Sequence, residues 1–373
     1  MDKPGIYENE ILKQFFDEHP LPLKPAEEEA PPPPAAEKTS APAAPEPGAE
    51  IVAAPPVSEA PAAPVRRKSK PASKSKKPKI AEPAVPEVPF TFSDALFQRR
   101  GRVFSVINQK GGCGKTTTAI NLAAGLAQEG FEVLLIDIDA QANATLGYGV
   151  RPAPEEWTVY HVFRGSENAD PRSVIRKTDV PRVSLVPSSK LLAPLAGELL
   201  EIKDWEYLLR QFLASVKEDF HYVVIDCPPA LNSLTVNALT ASDQMVIPLQ
   251  THYFSLEGMK ELFLTVRSVQ EKLNPLLKSG LILPTLYDKR ARINRDMLDS
   301  IRNYFKDKVL DSVVHTNVKL VESVMHGQPV MTYDPSSRGA QDYRALAREI
   351  ISKDDAFCGG KKDERWAKFI FQK

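Results

Sequence analysis

Gln109 to Thr118 read Gln-Lys-Gly-Gly-Cys-Gly-Lys-Thr-Thr-Thr, three glycines and a Lys-Thr pair in the order that a bound polyphosphate requires. Gly111, Gly112 and Gly114 let backbone N–H groups approach phosphate oxygens, and a helix opening at Thr116 adds the positive end of its dipole. In that geometry Lys115 contacts the β- and γ-phosphates, and the Thr116 hydroxyl contacts a Mg2+ ion. The strict phosphate-loop pattern has a glycine where this chain has Gln109, so the loop is a variant, and a second lysine, Lys110, sets it apart. An ammonium just ahead of the glycines does not readily fold back onto its own loop's phosphates. It is available to a nucleotide held by a second copy, which predicts ATP-dependent dimerisation with Lys110 acting in trans. Cys113 reads as a small residue at the loop's variable position rather than as a redox thiol. A glycine-rich turn without a ligand is the competing reading; the strand, helix and Lys-Thr pair around the loop weigh against it.

Three carboxylates extend the chemistry. Phe131 to Asp139 (FEVLLIDID) reads as a buried parallel strand ending in Asp137 and Asp139, and His221 to Pro229 (HYVVIDCPP) as another ending at Asp226. Ligands of a doubly wound sheet lie outside the carboxyl ends of its strands, where the loop and these carboxylates converge. Asp226 is expected to hold Mg2+ through water, with Asp137 able to do the same. Asp139 is expected to orient the attacking water, because phosphoryl transfer is governed by positioning and charge stabilisation. An aspartate at a strand end is often only a turn former or a helix cap. Three of them downstream of a phosphate loop favour function.

The elements that must position these groups are legible as alternating patterns. Val103 to Asn108 is a short apolar strand, and Thr116 through Gly130 a helix with Ile120, Ala123, Leu126 and Ala127 on one face. Further strands are expected at Val183–Val186, Gln244–Leu249, Leu281–Thr285 and Leu310–Val314. Helices are expected at Trp205–Lys217, Glu257–Leu273, Asn294–Phe305 and Gln341–Ser352. The alternation predicts an α/β fold, a mostly parallel sheet with helices on both faces.

Charge is balanced overall, 48 Lys and Arg against 48 Asp and Glu, so polarity is local. Most of the 33 prolines precede Phe90, in Ala/Pro/Glu tracts too poor in bulky apolar residues to bury a core. The expected organisation is therefore a short amphipathic segment (1–20), a disordered Pro/Ala/Lys-rich linker (21–95), an ATPase domain (96–355) and a tail (356–373). In the first segment Ile6, Ile11, Leu12, Phe15 and Phe16 are spaced so that a helix would gather them for docking in a partner's groove. The linker's run 66–79 carries eight cations and no acid, a tethered DNA contact or a solubilising stretch. No apolar run is long enough to span a membrane, and the first residues lack a hydrophobic signal core, so the cytoplasm is the expected location. Cys113, Cys227 and Cys358 form no metal-ligand spacing. In the tail, Trp366, Phe369 and Ile370 fall at helical spacing among lysines, a pattern that suits an interfacial amphipathic helix; because one short helix attaches weakly to a membrane, a tail packed on the domain or bound to a partner is the expected reading.

The run from Val103 to Gly147 resembles the ParA/Soj branch of the deviant Walker A ATPases, relatives of MinD. The resemblance continues in Val223–Leu239 (VVIDCPPALNSLTVNAL), Val246–Leu262 (VIPLQTHYFSLEGMKEL) and His326–Ile350 (HGQPVMTYDPSSRGAQDYRALAREI). It implies a P-loop NTPase that binds ATP and Mg2+, with Lys110 as signature lysine, Lys115 as Walker A lysine, Asp139 as water-activating aspartate and Asp226 as Walker B aspartate. The nucleotide would be held by residues 110–117, with Thr117 on the α-phosphate. It further implies an ATP-bound homodimer that binds DNA without sequence preference on the nucleoid, and a ParB-like or other partner that stimulates hydrolysis and release. By the same resemblance Lys289, Arg290, Arg292 and Arg295 form one DNA-contacting patch. A second is thinner: His315-Thr316-Asn317-Val318-Lys319 stands where relatives often read Pro-Arg-Asn-Val-Arg, which leaves Lys319 and puts a threonine in place of one arginine. The alternatives on this scaffold are a MinD-like ATPase that cycles on membranes through its tail, and, more remotely, a metabolic ATPase or amidoligase.

Overall fold

The structure, a computed structural model, describes residues 101–165, 170–252 and 259–358. The amphipathic segment 1–20, the linker 21–95 with its basic run and the tail beyond Cys358 lie outside the described residues.

Seven strands form one sheet: β1 (Arg102–Val106), β2 (Val133–Asp137), β3 (Arg176–Lys177), β4 (Val183–Val186), β5 (Tyr222–Asp226), β6 (Gln244–Gln250) and β7 (Leu281–Thr285), in the order β3-β4-β2-β5-β1-β6-β7. Every pairing is parallel except that of the two-residue strand β3 with β4. Asp226 is in register with Val106 on one side and with Asp137 on the other. The loop after β1 therefore leaves the sheet at the edge where both carboxylates stand.

Eleven helices are present among the described residues: α1 (Lys115–Gln128), α2 (Asn143–Gly147), α3 (Val159–Arg164), α4 (Leu192–Glu198), α5 (Leu208–Val216), α6 (Ser233–Ala241), α7 (Met259–Lys272), α8 (Arg292–Phe305), α9 (Val318–Met325), α10 (Val330–Tyr333) and α11 (Arg338–Cys358). Successive strand residues point to opposite faces. Val103, Ile136, Val223 and Ile247 accordingly join one buried cluster with Leu213, Leu239 and Leu262 from α5, α6 and α7. Phe104, Leu135, Val224 and Val246 join a second cluster with Ile120 and Ala123 of α1 and Leu346 and Ile350 of α11. Both faces are dry, which is why the strands read as unbroken apolar runs.

The helix behind the phosphate loop is held tightly. A Cβ on Gly125 would come within 2.9 Å of the Ala347 Cβ and 3.2 Å of the Tyr343 carbonyl oxygen, so only glycine lets α1 and α11 approach this closely. One turn from the loop, the Thr118 and Tyr343 hydroxyls lie 3.1 Å apart in the buried interface.

The expected strand at Leu310–Val314 does not form. Leu310 N–H donates to the Ile282 carbonyl (2.8 Å) and Val314 N–H to that of Pro284 (2.9 Å), so the segment touches β7 at both ends. Between them the amides of Asp311 and Ser312 donate to the Glu349 carboxylate of α11 at 2.9 and 2.8 Å. A tertiary acceptor takes the N–H groups that a ladder needs, and only isolated bridges remain.

Candidate nucleotide-binding site

The loop between β1 and α1 is built to present amides. Gly112 (φ 69°) and Gly114 (φ 92°) occupy the left-handed region that strains other residues. Side chains from the neighbouring strand ends tie back the loop's carbonyls: Gln250 Nε2 donates to the Gly112 oxygen at 2.7 Å and Thr285 Oγ1 to the Cys113 oxygen at 2.9 Å. Asn108 pins the start, accepting from the Lys110 N–H (3.0 Å) while donating to the Pro248 carbonyl (2.7 Å). In a trans peptide the C=O and N–H point opposite ways, so tethering these carbonyls to β6 and β7 aims the N–H groups of Cys113 and Gly114 away from them. An added Cβ on Gly111 or Gly112 meets nothing within 4 Å, so the loop's glycines border open space. Helix α1 opens on Gly114 with no side-chain cap, leaving its first N–H groups for an anion.

Lys115 is 93% buried, because its relative exposure is 7%. Its ammonium lies 3.0 Å from the Lys110 carbonyl oxygen and 4.0 Å from Cys113 Sγ, spanning the loop from within. Thr116 and Thr117 are half-buried at the start of α1, whereas Thr118 faces Tyr343 in the core. Lys110 is half-buried at the loop's entrance.

The three aspartates differ sharply. Asp226 is fully buried, and neither of its carboxylate oxygens has a hydrogen-bond partner among the described residues. Burial, followed by the charge of Asp137, pushes its carboxyl well above the usual range; the neighbouring Thr116 hydroxyl and the Lys115 charge pull the other way. Asp137 is also fully buried, and its carboxyl is raised to about 6, chiefly by burial. Its oxygens are engaged: Oδ1 accepts from the Asp139 N–H (3.1 Å), and Oδ2 from the Thr145 N–H (2.8 Å) and hydroxyl (2.7 Å). Asp139 stands two residues past β2, with Oδ1 accepting from the Gln141 N–H at 3.0 Å. A buried carboxylate with orphaned oxygens beside a threonine hydroxyl and a lysine suits a divalent cation shared with phosphates, since Mg2+ needs few protein ligands. Asp226 and Thr116 therefore fit the metal, and Asp137 is largely committed to holding the loop that follows β2.

The basic residues lie elsewhere. Lys289 and Arg290 sit on the turn after β7, and Arg292 and Arg295 on the first turns of α8; all four are exposed. Arg290 makes a two-pronged bond to Asp288 (3.0 Å for each pair of atoms), which holds that carboxyl at about 2, and Arg292 lies 3.6 Å from Asp296. Lys289 and Arg295 make no ion pair among the described residues. Lys319, in α9, lies 2.8 Å from Glu322 and over the Tyr333 ring. A bond from the Thr316 N–H to the Tyr287 carbonyl (3.1 Å) sets the two basic segments side by side.

Sequence reasoning missed the groups that brace the loops: Gln250, Thr285, Asn108, Thr145, Ser188 and the bond from Gln109 Nε2 to Glu261 Oε2. Thr145 lies inside the quoted run 103–147 and Gln250 in the run 246–262, but a spacing pattern does not reveal which backbone groups a side chain will meet.

Comparison with known proteins shows the family to which the chain belongs. The sequence pattern of the AAA domain family matches residues 101–279. The chain is 44% identical over 252 residues to the sporulation initiation inhibitor protein Soj of Bacillus subtilis (strain 168), covering 68% of this chain and 99% of that protein. It is 41% identical over 255 residues to the chromosome partitioning protein ParA of Caulobacter vibrioides, covering 68% and 95%. Among solved structures it superposes on cobyrinic acid a,c-diamide synthase from Mycobacterium smegmatis with bound ATP analogue and magnesium. That match has a TM-score of 0.60 at 33% identity and covers 69% of this chain and 96% of that one.

Proposed function

Because this chain belongs to the Soj/ParA family of chromosome-partitioning ATPases, we propose that it is a switch that dimerises on ATP, binds DNA without sequence preference and is released when a partner stimulates hydrolysis. The family assignment makes it an ATP hydrolase, and the site accepts ATP and Mg2+, as solved relatives with bound nucleotide and magnesium do. One observation carries the nucleotide-binding part of the reading: the buried, orphaned carboxylate of Asp226 beside the uncapped start of α1 and the Lys115 ammonium. Bound ATP and Mg2+ supply the transferable phosphoryl group and the neutralising charge.

The chain's own residues do the rest. The Lys115 ammonium exchanges the Lys110 carbonyl for phosphate oxygens, and the N–H groups of residues 111–116 close around them, with Thr117 toward the α-phosphate. Thr116 and Asp226 would hold the metal, which would offset charge on the phosphates. Asp139 orients the attacking water, and Lys110 reaches the nucleotide of a second copy. Lys289, Arg290, Arg292, Arg295 and Lys319 form the DNA face, through contacts that weaken with salt. A ParB-like or other protein supplies the stimulus.

The reading is tested on the full chain carrying Asp139→Ala, which should hold ATP without hydrolysing it. Sedimentation and plasmid pelleting are compared with ATP, with ADP and without nucleotide, beside liposome pelleting. A dimer that pellets with plasmid only under ATP is expected. A monomer under saturating ATP overturns the switch, and pelleting with liposomes but not plasmid transfers the chain to the membrane-cycling class.

A further inference from the structure

Asp139 and three residues around it close a ring of hydrogen bonds. Asp139 donates its N–H to Asp137 Oδ1 (3.1 Å), and Asp137 Oδ2 accepts the Thr145 hydroxyl (2.7 Å). The Thr145 oxygen accepts the Ser188 N–H (2.9 Å), and the Ser188 hydroxyl donates to the Asp139 carbonyl (2.6 Å). The ring joins three parts of the chain: the end of β2, the helix α2 and the segment just past β4. Asp137, Thr145 and Ser188 are each 1% exposed or less. Each hydroxyl is used in a definite sense, that of Thr145 donating to a carboxylate and accepting from an amide, that of Ser188 donating to a carbonyl.

We infer that Thr145 and Ser188 are positioning residues for hydrolysis, fixing the Asp139 peptide from both sides so that its carboxylate is aimed at the water site. The inference rests on the role proposed above for Asp139. The Asp139 main chain lies beyond the last ladder bond of β2; its carbonyl accepts a local turn bond from the Ala142 N–H (2.8 Å), and the ring adds the N–H bond to Asp137 and the Ser188 hydroxyl, which tie it to other parts of the chain. It holds the backbone and leaves the carboxylate itself to Gln141 N–H and to the substrate side. Neither Thr145 nor Ser188 touches the phosphate loop through any of these bonds, so nucleotide affinity and hydrolysis should respond separately to their loss.

The test measures steady-state ATP hydrolysis, affinity for a fluorescent ATP analogue and thermal midpoint for the full chain and for Thr145→Val, Thr145→Ser, Ser188→Ala and Asp139→Ala. Thr145→Val keeps the shape and removes the hydroxyl. It should lower kcat about tenfold or more, as expected for a misplaced catalytic group, with nucleotide affinity held within about twofold. Thr145→Ser, which keeps the hydroxyl, should recover most of the loss. Ser188→Ala should lower kcat in the same way, and the double variant Thr145→Val/Ser188→Ala should lose less than the product of the two effects because the pair shares one circuit. Unchanged kcat in Thr145→Val overturns the inference, as does an equal loss in Thr145→Ser or a parallel fall in affinity. Should Thr145→Val fold poorly, the kcat and nucleotide affinity of Ser188→Ala decide in its place. Normal turnover in Asp139→Ala instead overturns the role of Asp139, a result distinct from failure of the ring alone.

Discussion

Asp226 is a buried carboxylate whose two oxygens lack hydrogen-bond partners among the described residues. Both it and Asp137 have carboxyls held above the ordinary value, so the nucleotide-free protein binds more protons folded than unfolded. Stability contributed by Asp137 is fully present below about pH 4, the unfolded value, and is lost as pH rises through about 6, its folded value; the contribution of Asp226, raised further, is lost in the same direction as pH rises. Ionising the orphaned Asp226 carboxylate costs stability increasingly as pH rises, and Asp226→Asn removes that cost. Without nucleotide, Asp226→Asn should therefore be more stable than the parent at pH 8, by on the order of 1–3 kcal/mol. The gap should narrow at pH 5. With Mg2+ and ATP the order should invert, because the parent gains a cation that the variant cannot hold. Denaturant midpoints at both pH values provide the check, and a gap equal at pH 5 and pH 8 would refute the assignment of strain to this carboxylate.

At the scale of elements, the turn after β7 and the start of α8 show that a count of cations overstates a binding face. Arg290 and Arg292 are partly neutralised by Asp288 and Asp296, while Lys289 and Arg295 are not paired within the described residues. The pair Lys289→Ala/Arg295→Ala should weaken plasmid binding more than Arg290→Ala/Arg292→Ala. It should also flatten the dependence of log affinity on log salt by about 2, close to one unit per lost phosphate contact. Binding titrations across a salt series measure both quantities. Equal effects of the two pairs would mean that Asp288 and Asp296 release their arginines on contact with DNA. The sequence displayed all four cations, but the partners at 288 and 296 count as neutralisers only because the turn and helix bring them within bonding distance.

Taken whole, residues 101–358 hold two buried clusters, one on each face of the sheet. Arg102 closes the entry to β1: its guanidinium lies 2.7 Å from Asp354 and 3.2 Å from Asp243, with all three side chains buried. A buried pair broken on one side leaves an uncompensated charge, so the fold depends on the chain from Arg102 onward. Deletion of residues 1–95 should leave thermal midpoint and basal ATP hydrolysis unchanged. Loss of solubility or turnover in that truncation would show that the N-terminal region contributes to the folded unit.

The sequence by itself determined the phosphate loop, the parallel α/β plan and the strand ends that carry Asp137 and Asp226, because these follow from local period and from glycine at positions only glycine tolerates. It expected a strand at Leu310–Val314, which the Glu349 carboxylate, 37 to 38 residues further along the chain, prevents by accepting from two of its amides. It grouped Asp137 with Asp226 as alike. Tertiary structure alone separated them, giving the first three donors and leaving the second with none among the described residues, since a hydrogen-bond partner 8 residues away (Asp137 to Thr145) or one held on a different strand is a fact of packing. Spacing along a chain fixes which groups arrive at the sheet edge, and only the folded neighbours fix which of their lone pairs remain to meet a ligand.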